Sequence, residues 1–243
     1  MLTNNPATDL VSNSHKTSAA AVLVAAGSSS RMNGEDKIFL DLCSRPVIEH
    51  SLSIFMNSGL FLSTILVVSE ETIDKAHDLL SEYVLKGLIL TTGGTRRQDS
   101  VFMGIEKIHK ASVVAIHDGA RPCVTEALLK EGLQKVTKTG AAIPVIPVTD
   151  TVKSVDRYGR VERTVPREEL KLSQTPQFFS LDLIKKAHKE ISENVTDDAS
   201  MIEMMGGEVE VFDGDPQNLK ITTFYDIVIA QKILDARKPY ARK

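Results

Sequence analysis

Short apolar runs alternate along the chain with segments whose apolar residues recur at helical spacing. Ala20 to Ala25 is a continuous apolar run, which predicts a strand buried on both faces. Thr64 to Val68 and Val113 to Ile116 read the same way, as do Leu88 to Leu90 and Ala141 to Ile146. Between them, Pro46 to Asn57 carries Val47, Ile48, Leu52 and Phe55 near helical spacing, and Glu71 to Leu85 sets Ile73, Ala76, Leu80 and Val84 on one face. Asp99 to His109 and Glu126 to Thr137 complete the helical segments of this half. Strand–helix alternation with short connections predicts βαβ units, a mostly parallel sheet, and helices on both of its faces.

The alternation breaks between Thr149 and Lys171. Asp156-Arg157-Tyr158-Gly159 is a turn signal, and Val161 and Val165 stand among polar residues as in a hairpin strand. So few apolar groups cannot hold a two-stranded hairpin alone, so the arm (about 149–172) is expected to pack on something else, for which a second subunit is a natural candidate. Beyond it come Gln177 to Phe179, a helix from Leu181, another near Ala199, a strand at Val209 to Phe212 and a last helix from Tyr225 to Arg237. The expectation is a single α/β domain over 19–243, with the arm inserted. Residues 1–18 have no hydrophobic periodicity and are expected to form a disordered extension.

Composition narrows the function. Hydrophobic residues are 42% and charged residues 25%, as in ordinary globular domains, and the formal net charge is −3. No whole-chain basic field invites nucleic acid. Aromatic residues are only 5% with no tryptophan, which disfavours a base-stacking single-strand binder. No run approaches the roughly 20 apolar residues of a membrane span. The two cysteines, Cys43 and Cys123, form neither a CxxC nor a disulfide framework, so a cytoplasmic, reducing compartment is expected.

The chemistry concentrates in loops that follow strands. Ala25-Ala26-Gly27-Ser28-Ser29-Ser30-Arg31-Met32 leaves the first strand, with Lys37 six residues beyond Arg31. Small residues let a polyphosphate approach backbone N–H groups, and arginine offers a planar fork for its oxygens. The loop is neither a dinucleotide fingerprint nor a P-loop. Gly93-Gly94-Thr95-Arg96-Arg97-Gln98-Asp99-Ser100 also follows a strand; its glycines admit a flat base, although a plain turn capped by Gln98 or Asp99 accounts for it equally. In His117-Asp118-Gly119-Ala120-Arg121-Pro122, Asp118 at a strand's end is a candidate ligand for phosphate-bound Mg²⁺. His117 reads as a buried structural histidine rather than a base. Thr196-Asp197-Asp198-Ala199-Ser200 reads as a helix cap, and Asn218-Leu219-Lys220-Ile221-Thr222 brings a lone lysine before the last helix.

Taken in order, these segments, with Asp150-Thr151-Val152-Lys153 and Thr175-Pro176-Gln177-Phe178-Phe179, resemble the 2-C-methyl-D-erythritol 4-phosphate cytidylyltransferases of the non-mevalonate isoprenoid pathway. Two departures stand out: Ser29 replaces a glycine common in that family, and Asp36-Lys37-Ile38 replaces Pro-Lys-Gln. The resemblance implies a Rossmann-like nucleotidyltransferase fold with an inserted β-hairpin arm that swaps between two subunits of a homodimer. It implies CTP and a sugar-alcohol phosphate as substrates, and Mg²⁺ as cofactor. Arg31 and Lys37 would steady the reacting phosphorus, and Lys220 and Arg167 would position the sugar phosphate, with Arg167 acting across the dimer. Ala25, Ala26, Gly27, Gly94, Thr95, Ser100 and Gly119 match nucleotide contacts. Asp118, Arg121, Thr151, Thr175 and Thr196 match the acceptor side. Ribitol 5-phosphate cytidylyltransferases share the fold and most motifs. A non-catalytic nucleotide-binding module is the alternative from another class.

Overall fold

The computed structural model describes residues 18–27 and 36–237. Of the extension expected over 1–18, residues 1–17 lie outside the described residues, as do the serine-rich stretch with Arg31 and residues 238–243; Ser18 is described, and its carbonyl accepts the Ser112 N–H at 2.8 Å.

The apolar runs become the centre of one sheet. β1 (Ala19–Val24) lies between β4 (Ser63–Val68) and β6 (Val113–Asp118) and is parallel to both. Between β1 and β4 the chain forms a small ribbon, β2 (Asp41–Leu42) with β3 (Arg45–Pro46), and then helix α1 (Val47–Asn57). Beyond β4 come α2 (Ile73–Leu79), α3 (Ser81–Leu85) and β5 (Ile89–Thr92), which is parallel to β4. Helix α4 (Arg97–Ile105) returns the chain to β6, and α5 (Glu126–Thr139) leads to β7 (Ala141–Pro147). The arm is β8 (Val152–Val155) paired with β9 (Val161–Val165) as a separate two-stranded sheet. β10 (Lys171–Ser173) and β11 (Gln177–Ser180) rejoin the main sheet antiparallel to β7, and β11 is also antiparallel to β6. Helices α6 (Leu181–Glu190) and α7 (Ala199–Met204), strand β12 (Glu210–Asp213) parallel to β7, and α8 (Phe224–Arg237) complete the chain. The sheet has eight strands in the path β10-β7-β11-β6-β1-β4-β5, with β12 also on β7.

Strand alternation divides the core. Ala19, Ala21 and Leu23 face Ile48, Leu52 and Phe55 of α1 and Leu128, Leu129 and Val136 of α5. Ala20 and Val22 face Val101 and Ile105 of α4 and Ile184 and Ala187 of α6. Helices therefore cover both faces, as expected of a mostly parallel sheet. A third cluster joins Leu42, Val47, Cys123, Ile221 and Ala230 of α8.

Three readings change. The helix expected over Glu71 to Leu85 is broken at Leu80, whose backbone (φ −111°, ψ 21°) leaves the helical region. The helix expected over Asp99 to His109 starts at Arg97 and ends at Ile105, because Asp99 accepts the Arg96 N–H at 3.0 Å and closes the first turn from within. The arm's return stroke enters the main sheet at Lys171 as β10, before the expected boundary near 172.

Candidate active site

The carboxyl ends of parallel strands are where open α/β sheets bind ligands. Here they border a cleft of about 980 Å³. One wall is Ala25, Ala26 and Gly27 after β1, and another is Gly93, Gly94, Thr95, Arg96, Arg97 and Ser100, at β5 and α4. A Cβ on Gly93 would stand 2.5 Å from Ser100 Oγ and 2.6 Å from Ala26 Cβ, so only glycine lets these two walls approach. The Gly94 N–H donates to Ser100 Oγ at 3.1 Å, so Ser100 holds the loop in shape. Asp36, Lys37, Glu70, Glu71, Asp118 and Lys220 supply the charged lining.

Asp118 ends β6 and is almost wholly buried. Its N–H donates to Thr175 Oγ1 at 3.0 Å. Its carboxylate meets three cations: Lys220 Nζ at 2.8 Å, Arg97 Nε at 3.3 Å and Arg121 Nε at 3.7 Å. Burial alone would raise this carboxyl, but the charges of Arg97, Lys220 and Arg121 outweigh it and hold it well below the usual carboxylate range. An exposed Asp–Arg pair would contribute little; this one is buried and shared.

Lys220 reaches Asp118 because its flanks are pinned. Asn218 Nδ2 donates to the Thr175 carbonyl at 2.8 Å, Arg121 Nη1 donates to the Asn218 carbonyl at 2.7 Å, and the Ile221 N–H donates to the Ala120 carbonyl at 2.8 Å. Residues 101 positions apart also meet, since Arg97 Nη1 donates to Asp198 Oδ2 at 2.8 Å.

His117 lies under the cleft, fully buried. Its Nε2 is 3.2 Å from the Arg121 carbonyl, which can only accept, so Nε2 carries the proton. Nδ1 is then the bare nitrogen that accepts from Thr175 Oγ1 at 3.1 Å. Burial pushes the imidazole down to about 3. It is a neutral spacer with both nitrogens engaged, not a general base.

The cleft thus gathers Ala25, Ala26, Gly27, Lys37, Gly94, Thr95, Ser100, Asp118 and Lys220. Gly119, Arg121 and Thr175 support it from behind: the Gly119 N–H donates to the Val24 carbonyl at 2.9 Å. Thr196 and Thr151 are exposed and do not line it. Arg167 lies at the base of the arm, donating to the Thr149 carbonyl at 2.6 Å, beside a separate hollow formed with Pro147, Val148, Glu168 and Lys171. Arg31 is outside the described residues. Sequence reasoning missed Arg97 and Asp198. The Arg96-Arg97 pair signals cations at a glycine-rich turn; both line the cleft, but Arg96 pairs with Asp99 while Arg97 pairs with Asp118 and Asp198. In the segment read as a cap, Asp197 does the capping, accepting the Ser200 N–H at 3.1 Å, which leaves Asp198 for Arg97.

Among the described residues no three or more His, Cys, Asp or Glu gather as a metal site. No described helix is long and apolar enough to cross a membrane.

Comparison with known proteins bears on the fold and the family. A 2-C-methyl-D-erythritol 4-phosphate cytidylyltransferase of Dehalococcoides mccartyi is 43% identical over 215 residues, covering 88% of this chain and 95% of its own. The enzyme of the same name from Bacillus licheniformis is 40% identical over 222 residues, covering 89% and 96%. The crystal structure of the 4-diphosphocytidyl-2C-methyl-D-erythritol synthase from Anaerococcus prevotii superposes with a TM-score of 0.80 at 29% identity, covering 90% of this chain and 99% of that one. The sequence profile of one family, 2-C-methyl-D-erythritol 4-phosphate cytidylyltransferase, matches residues 19–236, and the chain belongs to that family.

Proposed function

We propose that this cleft performs the reaction of its family: transfer of CMP from CTP to 2-C-methyl-D-erythritol 4-phosphate, with pyrophosphate leaving. The observation that carries the assignment of residues is that Lys37, Lys220 and Asp118 line one cleft with the two small-residue loops.

The acceptor phosphate is itself the nucleophile. Its second ionisation lies near pH 6, so it is largely dianionic at neutral pH and needs no base. That suits a site whose histidine is buried and neutral. What remains is to bring two polyanions together and steady the charge at the α-phosphorus. Arg31 and Lys37 supply that charge, while Lys220 and Arg167 of the partner subunit position the acceptor phosphate. The walls at 25–27 and 93–95 hold the nucleotide, aided by Ser100 and Gly119. Asp118, Arg121, Thr151, Thr175 and Thr196 form the acceptor side, and the homodimer completes it through the arm.

The donor set suits Mg²⁺ bound chiefly to phosphate: Asp118 is already shared by three cations, and among the described residues it belongs to no cluster of three metal-binding groups. Asp118 is the residue that would hold the ion, which would neutralise triphosphate charge. Cys43 and Cys123 are not joined in a disulfide, which suits a reducing cytoplasm.

A matrix of nucleoside triphosphates against methylerythritol 4-phosphate and ribitol 5-phosphate, with magnesium, tests the reading by pyrophosphate release. CTP with methylerythritol phosphate is expected to give the highest turnover. Faster release with ribitol phosphate, or CTP binding without product, overturns it.

A further inference from the structure

We propose that Asp198 is a positioning residue: by gripping Arg97 it fixes the Asp118 carboxylate and keeps Arg97 from being drawn onto the nucleotide phosphates. The inference rests on the acceptor-side role given to Asp118 above.

Arg97 stands between two carboxylates. Its Nη1 donates to Asp198 Oδ2 at 2.8 Å and its Nε to Asp118 Oδ1 at 3.3 Å. A planar guanidinium fixes the directions of its donors, so holding one end fixes the other. Arg97 also lines the cleft that holds polyphosphate in the proposed reaction. Arginine in reach of phosphate tends to bind it bidentately. A tether is needed if Arg97 is to stay with Asp118, and Asp198 is that tether.

Asp198 itself cannot touch a ligand, being wholly buried, and its Oδ1 has no hydrogen-bond partner among the described residues. Its backbone is held from two sides. Gln177 Oε1 accepts the N–H groups of Asp198 and Ala199, each at 3.2 Å, while its Nε2 donates to Asp197 Oδ2 at 2.7 Å. Gln98, the neighbour of Arg97 on α4, donates to the Glu193 carbonyl at 3.0 Å and accepts the Val195 N–H at 3.2 Å. One turn of α4 thus holds the loop that delivers Asp198, and Asp198 holds that turn's arginine. Lys220 is different: it is partly exposed and, among the described residues, its ion pair is with Asp118 Oδ2, so it can shift to an arriving phosphate while Arg97 keeps Oδ1.

The test is Asp198→Asn in the full-length enzyme, which keeps the side chain's shape and removes its charge. The KM for methylerythritol phosphate should rise about tenfold or more, while the CTP dissociation constant, from titration calorimetry, stays equal or tightens as Arg97 is released. Arg97→Lys keeps the charge and loses the fork. It should show the same acceptor defect, and adding Asp198→Asn to it should change little further. Arg97→Lys carries the test alone if Asp198→Asn does not fold. An unchanged acceptor KM in either variant overturns the proposal. So does weakening of both substrates in step with a fall in Tm, which marks a merely structural role. Asp118→Asn separates this inference from the reading beneath it. A normal acceptor KM there overturns the role of Asp118 itself. A raised KM there with an unaffected Asp198→Asn overturns only the tether.

Discussion

His117 shows how a single residue can be central to a site without acting in its chemistry. It connects Thr175 to the Arg121 carbonyl, and Thr175 in turn receives the Asp118 N–H, so the imidazole sets the height of the floor on which Asp118 stands. Neutrality is the condition for this, and it has a cost in acid. Burial holds the folded imidazole down at about 3, whereas an unfolded histidine titrates near 6.5. Between these values the unfolded chain takes up a proton that the folded chain refuses. Stability from this group is complete above pH 6.5 and falls as the pH drops towards 3. Once the unfolded histidine is fully charged, the loss is about 1.4 kcal/mol per pH unit. His117→Gln can still donate and accept but cannot titrate. Urea unfolding between pH 5.5 and 4 should therefore give a pH dependence shallower by about that amount than in the unmutated protein. Equal slopes would mean that His117 charges in the folded state. The contribution of Asp118 also falls in acid as the unfolded aspartate protonates near 3.9, but Asp118 is present in both proteins, so it cancels in the comparison.

At the scale of elements, α4 is the part on which the cleft depends most. It brings Arg97 and Ser100 over the ends of β1 and β4, and it can lie that low because of Gly104. A Cβ there would come within 2.5 Å of Val22 Cγ1 and 2.8 Å of Val67 Cγ2, both in the centre of the sheet. Gly104→Ala should destabilise the protein by about 1–3 kcal/mol through overpacking, although alanine is the better helix former. Denaturant titration showing a gain in stability would mean that α4 can lift freely from the sheet. The same helix marks the limit of what the sequence displays. β1, β4 and β6 were legible because each is an apolar run buried on both faces; the small-residue loop after β1 was legible because it follows such a strand, and the Gly93-Gly94 turn because it follows β5. The break at Leu80 was not, since Ile73, Ala76, Leu80 and Val84 keep helical spacing through it. The β2–β3 ribbon was not, as two residues per strand carry no period. Cleft membership of Lys37 and Lys220 could be anticipated from motifs, but the pairing of Arg97 with Asp198 could not. It depends on a crossing of loops far apart in the chain, and each residue alone passes for part of a helix cap.

For the whole molecule the open question is what the arm covers. Val155, Tyr158 and Val161 are more than half exposed on β8–β9 and its turn, and Leu172 beyond it is half exposed. Two strands with so little buried surface are marginal alone. Arg167, at the foot of the arm, faces a hollow apart from the cleft that holds Lys220. If the arm completes the site of a second copy, a symmetric dimer has two sites, each built from one chain's Lys220 and the other chain's Arg167. Lys220→Ala and Arg167→Ala should then each abolish most turnover in their own homodimers, as the loss of a preorganised cation costs about 10²–10³ in rate. Mixing the two variants at equal amounts, with exchange of subunits, makes half of the dimers mixed. In a mixed dimer both defects fall in one site and the other site is whole. Activity should therefore recover to about a quarter of the unmutated level. If Arg167 served its own chain's cleft, every site in the mixture would lack one cation and nothing would recover. Recovery therefore reports on the path of the arm as well as on the role of the arginine, and a mixture that stays inactive while sedimentation shows exchanged dimers would exclude the swapped arrangement.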